Sequence, residues 1–256
     1  MKPTVYLTRL LPPAVMERLE RETELSFNAA DRLATKAEII VGAKDCNVLL
    51  PNITDKIDAE IINACPRLKV IANFGVGFNN IDVAAATARK LPVTNTPGVL
   101  TDATADIAFG LMLAVARRLG EGERLVRSKQ WTGWQPMQML GADVTGATLG
   151  LLGFGRIGKA MTRRALAFEM KLVYWNRTRL SPAEEKECGA TYLSKNEVLS
   201  QSDFVSLHVA YTTETHHFID AASLALMKPT GILINTARGG LIDHAALAAA
   251  LAKETD

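Results

Sequence analysis

The stretch TLGLLGFGRIG, residues 148–158, decides the fold of this chain. It begins as an apolar strand and then breaks into three glycines, Gly153, Gly155 and Gly158. In this spacing the first glycine permits a tight turn, the second lets the backbone approach a pyrophosphate, and the third lets a helix pack against the strand. Apolar residues then recur at helical spacing at Ile157, Ala160, Met161, Ala165 and Phe168.

Strand, glycine turn and helix therefore follow one another as a dinucleotide-binding site requires. The predicted cofactor-binding residues of the turn are Gly153, Phe154, Gly155, Arg156, Ile157 and Gly158. An ordinary glycine-rich turn is the alternative interpretation.

The bulk composition limits the possible partners. The 256 residues are enough for one large domain or two ordinary ones, and the formal net charge of +2 comes without a basic run. Without a basic run, a nucleic acid is not expected as a partner. A membrane is not expected either, since the longest apolar stretch, 107–116, is too short to span a bilayer. The three cysteines, Cys46, Cys65 and Cys188, lack metal-ligand spacing. They are interpreted as reduced thiols of a cytoplasmic protein, with no metal site predicted.

Short apolar runs alternate with helical patterns along the whole chain, which predicts an α/β fold with parallel sheets. Strands are predicted at 5–8, 48–50, 68–73, 93–95, 148–152, 171–175, 204–209 and 231–235. Helices are predicted at 101–118, 157–168, 195–200, 220–227 and 243–252. Helix starts are also predicted at Thr35 with Glu38, Thr54 with Asp55, Ser194 with Glu197, and Asp243.

Pro97 and Gly98 interrupt the chain and mark a predicted domain boundary. Residues 1–97 form the expected first domain, and residues 98–256 form the nucleotide-binding domain. The two are expected to be Rossmann-like or flavodoxin-like.

The residues after the strand at 171–175 indicate the type of cofactor. The sequence there is Asn176, Arg177, Thr178 and Arg179, whereas an NAD-specific site has a carboxylate for the adenosine ribose. Arg177 can pair with a 2′-phosphate and Thr178 can donate a hydroxyl. We therefore predict NADP(H) as the preferred cofactor, with NAD(H) possible. The alternative is that Arg177 and Arg179 are solvated surface charges.

Three further segments carry a family resemblance: INTARGGLID at 234–243, NFGVGFNNID at 73–82 and NTPGVLTDATAD at 95–106. With the glycine turn, they resemble the D-isomer-specific 2-hydroxyacid dehydrogenases over essentially the whole chain. Within that family the sequence is most similar to NADPH-dependent glyoxylate or hydroxypyruvate reductases. The resemblance implies a flavodoxin-like substrate domain followed by a Rossmann domain.

The resemblance also implies a substrate site for a small 2-oxo acid. Arg238 is expected to bind the substrate carboxylate and polarise the carbonyl, roles that suit a permanently charged, forked guanidinium. The backbone amides of Val76 and Gly77 are expected to hold the same carboxylate. The alternatives are a surface ion pair for Arg238 and an ordinary turn for Val76 and Gly77.

Further positions follow from the same resemblance. Thr236 and Ala237 match residues that line the nicotinamide, and Thr104 matches one near the cofactor phosphate or ribose. The helix at 101–118 and the loop around Trp131 and Trp134, within 101–143, resemble a dimer-forming element. A homodimer is therefore expected, with a helix buried inside one subunit as the alternative.

The family's general acid is a His that a Glu orients, and both follow Arg238 in the family. This sequence ends before those segments, and Glu254 is too close to Arg238 to match the Glu. His208 is expected to have a structural role or to lie at the edge of the cofactor site, and His216, His217 and His244 are expected to be surface residues. Two hypotheses follow: an NADPH-dependent 2-oxo acid reductase, or a truncated, catalytically impaired NADP-binding remnant whose nucleotide domain is incomplete at its C-terminal end.

Overall fold

The structure, a computed structural model, describes residues 1–252 of the chain. Residues 253–256, including Glu254, lie outside the described residues. Two compact units are present, the first from Met1 to Val99 and the second starting at Leu100. Each unit contains one five-stranded parallel sheet with helices, so the predicted α/β class with two parallel sheets is confirmed.

The sheet of the first unit has the strand order β2-β1-β3-β4-β5. Its strands are β1 (Thr4–Leu7), β2 (Glu24–Phe27), β3 (Val48–Leu50), β4 (Val70–Ala72) and β5 (Val93–Thr94). Its helices are α1 (Pro13–Glu22), α2 (Lys36–Ala43), α3 (Ala59–Ala64) and α4 (Val83–Ala88). This is the flavodoxin-like order, in which ligands bind beyond the carboxyl ends of the strands where the winding reverses.

The sheet of the second unit has the order β10-β9-β6-β7-β8, the order of a Rossmann sheet. Its strands are β6 (Thr148–Leu152), β7 (Lys171–Trp175), β8 (Ala190–Tyr192), β9 (Phe204–Leu207) and β10 (Ile232–Asn235). Its helices are α5 (Thr101–Ala116), α6 (Leu119–Arg127), α7 (Arg156–Ala167), α8 (Pro182–Cys188), α9 (Lys195–Gln201), α10 (Ala221–Leu226) and α11 (His244–Ala252).

The predicted elements agree with the observed bounds to within two residues, the usual uncertainty at element ends. The strands β2 and β8 and the helix α8 were not predicted from the sequence. Both strands lie at sheet edges, and β2 is exposed along most of its length. They therefore lack the apolar run by which buried parallel strands are recognised.

One predicted helix start is wrong. The Thr35–Glu38 and Ser194–Glu197 capping boxes are present as predicted. Thr54 with Asp55 does not cap a helix, because α3 begins at Ala59 and is capped by Asp58. Asp55 is buried and accepts a hydrogen bond from Thr8 Oγ1 at 2.5 Å. Its side chain therefore joins the loops after β1 and β3 instead.

The long helix predicted at 101–118 ends at Ala116, and a second helix begins at Leu119. Arg118 between them has a left-handed backbone conformation, with φ 53°. A left-handed residue cannot continue a right-handed helix, so the chain changes direction there. Within residues 1–252, no helix is both long and apolar enough to cross a membrane.

Candidate active site

The glycine turn after β6 is built from very close backbone contacts. Gly153 has φ +94°, and a Cβ there would lie 2.5 Å from the carbonyl carbon of His208. A Cβ on Gly158 would lie 2.6 Å from the carbonyl oxygen of Gly153. In contrast, a Cβ on Gly155 would meet no atom within 4 Å. The outer two glycines therefore shape the turn, and Gly155 leaves space on its open side for a ligand to approach the backbone.

Backbone N–H groups are available at the start of α7. No side chain caps this 12-residue helix, and its first turn contains no acidic residue. The N–H groups of Gly155, Arg156, Ile157 and Gly158 donate no hydrogen bond within residues 1–252. Unpaired N–H groups and the positive end of the helix dipole together favour an anion. The turn therefore fits the pyrophosphate of a dinucleotide.

The residues after β7 occupy different environments. Arg179 forms a two-point ion pair with Glu185, at 2.8 Å and 2.9 Å, and this pair holds the pKa of Glu185 at about 2. Arg177 is exposed and makes no side-chain hydrogen bond or ion pair within the described chain. Its charge does contribute to lowering the pKa of Glu214, after the larger effect of the Thr212 hydroxyl. Of the two arginines, Arg177 is therefore the one available to a ligand.

Asn176 connects this segment to the glycine turn. Its Oδ1 accepts a hydrogen bond from the backbone N–H of Phe154 at 3.2 Å. Its Nδ2 donates to the carbonyl of Thr178 at 2.9 Å. A single side chain thus fixes the glycine turn relative to the segment that carries Arg177.

Asn235 at the end of β10 supports the loop that carries Arg238. Its Oδ1 accepts from the N–H of Ala237 at 3.0 Å, and its Nδ2 donates to the carbonyl of Arg238 at 2.8 Å. Arg238 also donates from Nη1 to the carbonyl of Ala237 at 2.8 Å. Gly240 in the same loop packs against the ring of Tyr211, which would lie 2.6 Å from a Cβ there.

The hydroxyl of Thr236 is unusual because Oγ1 is buried and has no hydrogen-bond partner within the described residues. An unpaired buried hydroxyl is costly, and a polar group of a ligand could pair with it. Thr104 lies half-buried in the first turns of α5. That helix packs against α7, and Asp102 accepts a hydrogen bond from Arg163 at 2.9 Å.

The histidines of the described chain lie in different environments. Burial lowers the pKa of His208 to about 4, and its Nε2 lies 3.0 Å from Ser206 Oγ. His208 is therefore neutral near pH 7. His216 and His217 are exposed, as predicted, and their rings stack with centroids 3.8 Å apart.

In the first unit, the loop after β4 carries Val76 and Gly77. The N–H groups of both residues donate no hydrogen bond within the described residues. Their carbonyls are held by asparagine side chains: Asn95 Nδ2 reaches Val76 O at 2.7 Å, and Asn73 Nδ2 reaches Gly77 O at 2.8 Å. The loop thus offers backbone donors while its acceptors are occupied.

Comparison with known proteins places these features in a family. Residues 109–255 match the profile of the D-isomer specific 2-hydroxyacid dehydrogenase, NAD binding domain. A glyoxylate reductase of Thermococcus litoralis is 46% identical over 255 residues, covering 98% of this chain and 77% of the relative. One of Korarchaeum cryptofilum is 47% identical over 252 residues, covering 98% and 76%.

The chain belongs to the D-isomer-specific 2-hydroxyacid dehydrogenases.

Several solved structures have the same fold. An NAD-binding D-isomer specific 2-hydroxyacid dehydrogenase from Polaromonas is 38% identical with a TM-score of 0.90, covering 99% of this chain and 80% of that one. A D-lactate dehydrogenase from Aquifex aeolicus, complexed with NAD and lactic acid, is 31% identical with a TM-score of 0.86, covering 98% and 74%. An acyclic imino acid reductase in complex with NADPH and D-Arg is 28% identical with a TM-score of 0.87, covering 99% and 80%. The family match and the neighbours bound to NAD or NADPH indicate a nicotinamide cofactor for this chain.

The supporting asparagines of this dehydrogenase were not predicted as such from the sequence. Asn73, Asn95 and Asn176 each follow a strand, and Asn235 is the last residue of one. Each hydrogen-bonds the backbone of a predicted site residue or of its immediate neighbour. Asn176 was predicted as a cofactor ligand, and the others had no role assigned. An asparagine directly after a parallel strand is the signal that could have identified them, because its side chain can bond the loop that follows.

Proposed function

We propose that this dehydrogenase reduces a small 2-oxo acid, of the glyoxylate or hydroxypyruvate type, with NADPH. The observation that carries the proposal is the fixed loop after β10, where Asn235 holds the backbone on both sides of the Arg238 side chain. The glyoxylate reductases among its relatives support the choice of substrate.

The preference for NADPH rests on Arg177. Arg179 is held by Glu185, whereas Arg177 is exposed beside a segment that contains no carboxylate. A guanidinium can form charge-assisted hydrogen bonds with a 2′-phosphate. The start of α7 fits the pyrophosphate, and Thr236 and Ala237 lie next to Arg238, where the nicotinamide is expected.

Different residues of this chain have different roles in the proposed reaction. When bound, NADPH supplies the hydride that reduces the carbonyl carbon. Arg238 binds the substrate carboxylate and stabilises the negative charge that grows on the carbonyl oxygen. The N–H groups of Val76 and Gly77, in the first unit, are neutral donors suited to a carboxylate. Thr104 contributes a hydroxyl near the cofactor phosphate or ribose.

A second candidate function, NADP binding without turnover, is favoured by the state of His208. A neutral imidazole with a pKa of about 4 is a poor proton donor near pH 7. His216 and His217 lie on an exposed loop. Neither observation identifies a proton donor for the alkoxide among residues 1–252.

One experiment separates the two functions. NADPH oxidation by the 256-residue chain is followed with glyoxylate, and NADPH binding is followed by fluorescence. Arg238→Ala is compared with Arg21→Ala, an exposed arginine on α1. Turnover in the wild type and in Arg21→Ala, with a loss of at least about 100-fold in Arg238→Ala, supports the reductase. NADPH binding without turnover in all three proteins supports the second function.

We also propose that the protein is a homodimer formed through α5, α6 and the following loop. One side of α5 is buried, but Ile107, Leu111 and Val115 are exposed, and Trp134 in the loop is 81% exposed. Such a large apolar surface is typical of subunit interfaces. Sedimentation equilibrium is expected to give a dimer for the wild type and a monomer for Ile107→Glu. A monomeric wild type would contradict the proposal.

A cytoplasmic location is proposed from the cysteines. Cys46, Cys65 and Cys188 are all free, and burial raises the pKa of the Cys65 and Cys188 thiols. Free thiols are typical of a reducing compartment. Fractionation of the source cells with an antibody against the chain tests the location.

A further inference from the structure

Three consecutive carbonyl groups in the loop after β4 each accept a hydrogen bond. They belong to Gly75, Val76 and Gly77. Their donors are the N–H of Thr96 at 3.0 Å, Nδ2 of Asn95 at 2.7 Å and Nδ2 of Asn73 at 2.8 Å, respectively. Three successive peptide planes of the loop are therefore fixed in orientation.

Fixing a carbonyl also fixes the N–H group of the next residue. The described chain contains no cis peptide bond, and in a trans peptide the C=O and N–H bonds point in opposite directions. The N–H groups of Val76, Gly77 and Phe78 are therefore directed away from the atoms that hold the carbonyls. None of these three N–H groups donates a hydrogen bond within residues 1–252. Successive unpaired N–H groups are the donors from which backbone anion sites are built.

We propose that Asn95 and Asn73 are positioning residues that direct the amides of Gly77 and Phe78 toward the substrate carboxylate. This inference rests on the proposed function and extends it in two ways. It adds the Phe78 amide to those of Val76 and Gly77 as a third donor. It also explains how a loop without a charged side chain holds its amides ready before the anion binds.

The two asparagines are themselves supported to different extents. Asn73 is 2% exposed, and its Oδ1 accepts from Nδ2 of Asn80 at 3.1 Å. Nδ2 of Asn80 also lies 3.2 Å from the carbonyls of Asn52 and Asp55, so Asn73 is part of a network that joins two loops. Asn95 is half-buried, and its one hydrogen bond to Val76 can be removed with little change elsewhere.

Asn95→Ala is therefore the main test variant, and Asn28→Ala is its matched control. Asn28 is also half-buried, lies in the same unit and donates from Nδ2 to a backbone carbonyl at 2.8 Å. Oxamate, an unreactive analogue of a 2-oxo acid, is titrated into the NADPH-saturated proteins. The amide resonances of Val76, Gly77 and Phe78 are followed by ¹⁵N NMR, together with glyoxylate KM and kcat and the Tm.

In Asn95→Ala the oxamate Kd and the glyoxylate KM are expected to rise about tenfold, the equivalent of one hydrogen bond. The NADPH Kd and the Tm should stay as in Asn28→Ala, and the three amides should shift with oxamate in the wild type. Asn73→Ala removes part of a buried network, so only the Phe78 amide resonance is interpreted in this variant. Its response to oxamate should be lost.

The outcomes distinguish this inference from the proposed function. Equal oxamate affinity in Asn95→Ala and the wild type would overturn the positioning role while leaving the reductase intact. If the wild type turns over no 2-oxo acid, the proposed function fails. In that case oxamate shifts of the three amides that weaken in Asn95→Ala would still support the positioning role. No shift in any protein would overturn both.

Discussion

Nδ2 of Asn235 donates a hydrogen bond to the carbonyl of Arg238 over 2.8 Å, while Oδ1 of the same side chain accepts from Ala237. One residue at the end of β10 thus holds the loop that presents the guanidinium. Strand ends are rigid relative to the loops that follow them, so these hydrogen bonds fix the position of the Arg238 backbone relative to the sheet.

Removing that link should impair substrate handling more than cofactor binding. We expect Asn235→Ala to lower kcat/KM for glyoxylate about tenfold or more, because Arg238 loses a fixed backbone. The NADPH Kd should change less than threefold. Asn196→Ala, on the exposed face of α9, is the control. Steady-state kinetics with an unchanged kcat/KM in Asn235→Ala would contradict this role.

Arg177 and Arg179 should differ as determinants of cofactor preference. We expect Arg177→Ala to raise the NADPH Kd by roughly 10- to 100-fold, the value of a charge-assisted contact with a phosphate. The NADH Kd should be nearly unchanged. Arg179→Ala should have a smaller effect on both, because its side chain is paired with Glu185. Fluorescence titration with each cofactor makes the comparison, and tighter binding of NADH than NADPH by the wild type would disprove the predicted preference.

Alanine substitutions at two glycines of the turn should have different effects, one on stability and one on cofactor binding. Gly158→Ala places a Cβ 2.6 Å from the Gly153 carbonyl oxygen, so it should lower the free energy of unfolding by about 1–3 kcal/mol. Gly155→Ala meets no atom within 4 Å and has φ −79°, which alanine adopts readily. It should keep its stability and bind NADPH about tenfold more weakly, since the methyl group enters the space left for the phosphate. Urea denaturation and cofactor titration of both variants provide the check.

The buried hydroxyl of Thr236 should cost stability in the free protein. We expect Thr236→Val to raise the free energy of unfolding without cofactor by about 1 kcal/mol, because an unpaired buried hydroxyl is replaced by a methyl group. NADPH affinity should fall in the same variant if the hydroxyl pairs with the cofactor. A variant that is less stable and binds NADPH normally would indicate that Oγ1 has a purely structural partner.

His208 should make stability depend on pH between about 6.5 and 4. Its folded pKa is about 4, below the ordinary value of 6.5, because burial disfavours the charged ring. Below pH 6.5 the unfolded chain therefore takes up a proton that the folded chain does not, and stability falls as the pH is lowered. His208→Gln lacks this proton uptake, so its free energy of unfolding should fall less steeply over that range. Parallel slopes for the two proteins would show that His208 stays accessible to protons when folded.

Sequence alone determined the parts that depend on local pattern. Gly153, Gly155 and Gly158 follow an apolar run and precede a helical repeat, so the strand, the turn and the helix could be read directly. The capping boxes at Thr35 and Ser194 are equally local, because Ncap and N3 lie three residues apart. The resemblance of 234–243 to a known family supplied the expected role of Arg238, which no periodicity reveals.

Tertiary structure decided what depends on residues far apart in the chain. Asp55 looks like part of a helix cap in sequence, but its carboxylate accepts a hydrogen bond from the hydroxyl of Thr8, 47 residues away. Likewise Arg177 and Arg179 are equivalent in sequence until Glu185 pairs with one of them. The same applies to Asn73 and Asn95, because a side chain's hydrogen-bond partner is set by the packing of strands and loops in space. The glycine turn could thus be recognised from residues 148–158, whereas the groups that are available to a ligand could be identified only in the folded chain.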